Sequence, residues 1–186
     1  TRQGGEPAHA GLFVSKNVAS NSVWYRWTSP ITAWVLIDVN ENGFDSVLHV
    51  YTGTNLSSLT DVASSDRLVS GGGENLILQV TEGTTYVIAI DGYSMTTAVS
   101  ESGSFTLSLS EVLAPPNDHF GNAFLLPSEL PAGDFDGRTI LSTAEPGEPA
   151  HSPAGAMPPN VTSNSVWYRW TAPSDRFVGV NVDGEF

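Results

Sequence analysis

The string GEPAH occurs twice, from Gly5 and from Gly147, and each copy places a glutamate three residues ahead of a histidine. Glu6 with His9, and Glu148 with His151, are the side-chain types of a metal site or an acid–base pair. Two ligands are too few for zinc, no H-E-x-x-H string accompanies them, and the chain has no cysteine to complete a set. The competing structural reading, and the preferred one, is a turn in which Pro7 fixes the backbone and His9 hydrogen-bonds or packs on a ring.

Asp38 to Asp45, DVNENGFD, matches the D-x-N-x-N-G opening of a calcium loop. Asp38, Asn40, Asn42 and Asp45 would supply hard oxygen ligands. His49 stands where such a loop places its bidentate glutamate, and Asn181 replaces Asp38 in the second copy. The flanks read as strands, so an acidic β-turn is the expectation, with calcium the one ion to consider and no other cofactor.

A third string, NSVWYRWT, starts at Asn21 and again at Asn164. Trp24 and Arg26, with Trp34 on the next apolar run, would form an aromatic face if those strands adjoin. Such a face could stack sugar rings or take a cation–π contact. Phe177 holds the position of Trp34 in the second copy. The structural alternative, again preferred, puts Tyr25 and Trp27 in the core and covers Trp24 with a loop or an adjoining unit. No G-x-S-x-G elbow, phosphate loop or dinucleotide fingerprint is present, so the chain reads as non-catalytic.

Composition limits the partners. Seven basic residues against twenty acidic ones give a net charge of −13, which repels phosphate backbones and argues against nucleic acid. No run approaches the roughly 18 apolar residues of a membrane helix. The start is not basic-then-apolar, so a signal peptide has been removed or the chain is an excised piece. A hydrophobic fraction of 40% suffices for a core.

The elements that must position these residues are strands. Val23, Tyr25 and Trp27 alternate with Ser22, Trp24 and Arg26, and Val35, Ile37 and Val39 with Trp34, Leu36 and Asp38. SVLHVYTG and NLILQV continue the period of two; TTYVIAIDGY reads as buried on both faces and GSFTLSLS as half-exposed. Turn residues at Ser29-Pro30, Asn42-Gly43, Gly71-Gly72-Gly73, Glu82-Gly83 and Asp91-Gly92 separate six runs. The fold class is all-β: an antiparallel β-sandwich, jelly-roll or Ig-like. Its expected core is Tyr25, Trp27, Val35, Ile37, Leu48, Val50, Leu76, Leu78, Tyr86, Ile88, Ile90, Phe105 and Leu107. Only Asn117 to Leu126 could hold a helical turn, N-capped by Asp118.

Asn164 minus Asn21 gives an internal period of 143, the mark of a tandem repeat. Residues 1–112 read as one sandwich unit lacking its leading segment, 113–118 as a Pro-rich linker, and 119–186 as the first part of a second, incomplete repeat. Asp134 to Thr143 has strand character and would be the leading piece that another chain could donate.

The ordered series SVWYRWTSP, VLIDVNENGFDSVLHVYTG, LTDVASSD, TTYVIAIDGY and GSFTLSLS resembles the bacterial pre-peptidase C-terminal domain family. The likeness is to its tandem version, whose units carry PPND-x-F-x-NA and EPGEP-x-H ahead of the Trp-rich strand. The resemblance implies a secreted or cell-surface β-sandwich without catalytic activity, used for binding, adhesion or spacing within a larger protein. Neighbouring repeats, identical chains, an extracellular polysaccharide or a protein matrix are the implied partners. Two alternatives stand beside it: a subunit of an extracellular filament assembled head-to-tail by strand complementation, and an accessory substrate-binding domain of a secreted hydrolase.

Overall fold

The computed structural model describes residues 3–7, 21–67, 73–93, 101–129, 133–149 and 164–184, without the side chains of Glu41 and Asn42. His9, His151 and the Gly71-Gly72 turn lie outside the described residues. The chain divides into two compact units, Thr1–Val112 and Leu113–Phe186.

The first unit is a sandwich of two antiparallel sheets. One sheet runs β1 (Val23–Thr28), β6 (Thr85–Gly92), β3 (Ser46–Thr52), β4 (Thr60–Ser65); the other runs β5 (Glu74–Val80), β2 (Ala33–Asn42), β7 (Ser104–Glu111). Only β3 and β4 are joined within one sheet; every other connection passes to the opposite sheet, in the manner of a jelly roll. The alternation read from sequence turns Val35, Ile37 and Val39 inward against Leu48, Val50, Tyr86, Ile88 and Ile90. Trp27, Leu76, Leu78, Phe105, Leu107 and Leu109 pack on this core from its margins. Gly73 admits β5 beside β2: its φ is +68° and a Cβ there would lie 2.5 Å from the Val39 carbonyl oxygen.

Three expectations change. Tyr25 faces the core side but stays 42% exposed: among the described residues β1 is the outermost strand of its sheet, and the Tyr25 ring meets that of Phe105 edge-to-face with centroids 6.4 Å apart. A seventh strand, β4, went unread because TDVASS has no apolar alternation; it forms by completing the ladder of β3. β6 is buried on both faces, as its apolar run predicts, but the outer side of β3 is buried as well. There Tyr51, Val87 and Ala89 form a second apolar cluster with Trp24 and Leu59.

In the second unit β8 (Phe124–Leu125) pairs in parallel with β9 (Tyr168–Arg169). Leu113–Asp118 is part of this unit and not a free spacer: Pro115 is buried, and the Asn117 carbonyl accepts the Trp167 N–H at 2.9 Å. The helical turn is a single 3-10 turn, Phe120–Asn122, with His119 at its N-cap. Asp118 does not cap it; its carboxylate accepts the Thr143 N–H at 2.6 Å and hydroxyl at 3.0 Å. Residues 134–143 form no strand and end in a turn closed by Ser142 N–H on the Thr139 carbonyl. Val180, which falls one period after the fully buried Ile37, is 87% exposed.

Candidate binding face

The two GEPAH strings build the same turn. In the first, Glu6 N–H bonds the Gln3 carbonyl at 3.2 Å while the Glu6 carboxylate accepts Gln3 N–H at 2.8 Å. In the second, Glu148 and Glu145 repeat both bonds at 3.1 and 2.8 Å. Gly5 and Gly147, with φ of 88° and 89°, occupy the position where only glycine is at ease. Glu6 is buried, and its other oxygen accepts the Ser22 hydroxyl, whose oxygen in turn accepts the Trp24 indole N–H at 3.2 Å. The turn thus precedes Pro7, and its glutamate staples backbone and strand together.

This chain of bonds settles where Trp24 is. Its ring lies 6.0 Å from that of Tyr51, which is stacked on His49 at 5.7 Å with the planes 10° apart. Burial, and then the negative charges of Asp61, Glu6 and Asp91, push the Tyr51 phenol above its ordinary range, so it stays protonated. Trp24 is therefore part of a packed outer layer on the four-stranded sheet.

Trp34 belongs to the other sheet. Because β1 and β2 lie in different sheets and both residues point away from the core, Trp24 and Arg26 face one side of the sandwich and Trp34 the other. The three residues do not form one platform. Sequence alternation assigns each residue to the inside or outside of its strand, and does not say which sheet that strand joins.

The calcium string is likewise dispersed. Its first five residues are the end of β2, paired with β7 from Asp38↔Ser108 to Asn42↔Ser104. Positions 38 and 42 of an extended strand lie about 13 Å apart, whereas one calcium ion holds its ligands at about 2.3–2.6 Å. Asp45 lies beyond the Gly43 turn, buried, its N–H on a Glu101 carboxylate oxygen at 2.7 Å and its carbonyl accepting Tyr93 N–H at 2.7 Å. Among the described residues no three His, Cys, Asp or Glu are grouped to hold a metal ion.

What the fold does assemble is the outer face of the three-stranded sheet. Trp34 is 40% exposed and pairs in register with Gln79; Leu36 sits between Ile77 and Ser110, and Asp38 between Asn75 and Ser108. Rows repeat every ~6.8 Å along a strand and strands lie ~4.8 Å apart, giving an array about 10 Å wide. One end of this array is apolar, with Trp34, Leu36 and Ile77; the rest, Asp38 apart, is amide and hydroxyl. Asp38 is its one carboxylate among the described residues, and none of them there is basic. The period-two hydroxyls of GSFTLSLS were the available sign of this face, which a solvent-exposed strand edge explains equally well.

Comparison with protein-family models yields no match, and comparison with curated proteins yields none.

Proposed function

We propose that the chain is a non-catalytic, extracellular β-sandwich repeat of the pre-peptidase C-terminal kind, which binds through the outer face of its three-stranded sheet. The carrying observation is Trp34, exposed at the apolar end of an array of amides and hydroxyls. An aromatic ring beside regularly spaced amides and hydroxyls, with no basic group, suits an extended, uncharged polysaccharide: the ring stacks a sugar face and the amides meet its hydroxyls. The strings whose residue types suit acid–base or stacking chemistry support the same reading, because Glu6 and Glu148 are used in a turn and Trp24 in a packed layer.

The test is affinity electrophoresis in gels containing soluble neutral β-glucans. Retarded migration is expected, and Trp34→Ala should weaken it by roughly tenfold or more, as a central aromatic anchor does. An unretarded parent, or a Trp34→Ala variant retarded as strongly as the parent, overturns the assignment.

A further inference from the structure

The array beside Trp34 carries one charge, and strand register fixes its place. Along β2 the outward residues are Trp34, Leu36, Asp38 and Asn40, while Val35, Ile37 and Val39 are buried on the core side. Asp38 lies in the central strand, with Asn75 of β5 on one side and Ser108 of β7 on the other. Residues opposite one another on neighbouring strands have Cβ atoms about 5 Å apart, so the carboxylate stands in a row with one amide and one hydroxyl. It is half-buried, and among the described residues no hydrogen bond or ion pair engages its oxygens.

Trp34 and Asp38 are four residues apart on an extended strand, about 13 Å. A single sugar ring does not span that distance, so Asp38 meets a later sugar of a chain laid along β2. Between the two lies the row of Leu36, Ile77 and Ser110. A neutral sugar brings hydroxyl donors to the carboxylate, and hydrogen bonds to an ionised acceptor are about twice as strong as neutral ones. An acidic sugar brings a second negative charge to the same place. No basic side chain stands among the described residues of this face to offset it, and like charges brought together at a contact suppress the wrong partner.

We infer that Asp38 sets the charge selectivity of this face. Its carboxylate accepts hydroxyls from a neutral sugar further along the chain that stacks on Trp34, and it excludes polysaccharides bearing carboxylate or sulfate groups. This role deepens the sugar-binding reading of the face and rests on it. The net charge of −13 repels polyanions at long range, but at physiological ionic strength exposed charges are screened over about 8 Å. Discrimination at contact then falls to the one charged group on the face.

The experiment titrates the amine-labelled 186-residue chain with two polymers of one β-glucan backbone, at about 0.15 M salt, and follows fluorescence anisotropy. Hydroxyethylcellulose is uncharged; carboxymethylcellulose carries carboxylates. The parent should bind the first and bind the second more weakly. Asp38→Asn keeps the shape and removes the charge, and Asp38→Ser removes it with a different side chain. In both, the ratio of the two dissociation constants should fall about three- to fivefold, the scale of one partly exposed charge contact. Asp175→Asn makes the same change of net charge at an exposed residue of the second unit and should leave the ratio as in the parent. If the parent binds hydroxyethylcellulose and the ratio stays fixed in both Asp38 variants, or falls equally in Asp175→Asn, the role of Asp38 is overturned and the face stands. Loss of both polymers in both Asp38 variants also overturns it, since Asp38 would then hold the strand and not select the sugar. A parent that binds neither polymer overturns the face and the role of Asp38 together.

Discussion

Ile37 and Val180 occupy the same position of the repeat, and replacing each by alanine should have very unequal consequences. Ile37 is fully buried at the middle of the central strand, with Leu76 and Leu109 beside it in register and Val50 and Ile88 among its core companions. Ile37→Ala removes three buried carbons, worth about 2.4 kcal/mol at about 0.8 each. β2 is held in ladders on both sides, so the backbone does not close the gap and a cavity term brings the total to about 3–4 kcal/mol. For a unit of this size that lowers the melting temperature by roughly 12–20 °C. Val180 is mostly exposed, and Val180→Ala should stay within about 0.5 kcal/mol. Urea unfolding followed by tryptophan fluorescence measures both, with amide exchange across β2 to assign the transition to the first unit. A cost below about 1 kcal/mol for Ile37→Ala, or equal costs for the two variants, would refute the packing described.

Alkali should reveal Tyr51. Its folded-state pKa is raised by burial first and by Asp61, Glu6 and Asp91 after that, whereas the unfolded chain releases the proton near pH 10. Its contribution to stability is therefore complete below about pH 10 and is lost as the pH climbs from there toward the folded value. Phenolate absorbance should show one tyrosine titrating late, and Tyr51→Phe should remove that late component and flatten the alkaline loss of stability; a late component unchanged in Tyr51→Phe would count against the buried acidic setting. Millimolar calcium should leave the melting temperature unmoved in the parent and in Asp38→Asn alike, because the D-x-N-x-N string is strand. A rise of several degrees, reversed by a chelator and lost in Asp38→Asn, would show that the ion reshapes this segment.

Much of the core was legible. Period-two alternation located six of the seven strands of the first unit and nearly all of the inward side chains, because each side chain's face follows from its position in its own strand. Tyr25 marks the limit of that inference. Its direction was right, but burial also needs neighbours above it, and among the described residues the Phe105 ring meets it there. β4 was illegible because its pairing with β3 positions it, with little contribution from its own side chains. The double-sided burial of β3 was hidden for a related reason: His49 and Tyr51 look like the solvent side of a strand until Trp24 and Asp61 are brought beside them.

The candidate site divides along the same line. Sequence alone determined that Trp24, Arg26 and Trp34 point away from the core, that Glu6 and Glu148 perform one repeated task, and that an acidic, Cys-free chain of alternating runs makes a β-sandwich. These are properties of local periodicity and composition, which need no knowledge of neighbours. Tertiary structure alone decided that Trp24 and Trp34 lie on opposite sides, that the calcium-type string is the end of an extended strand, and that Gln79, Asn75 and Ser108 join Trp34 on one face. Each depends on which strand lies beside which, and strand order is set by contacts between segments far apart in the chain, where the hydrophobic pattern is the same for every arrangement that buries the same faces.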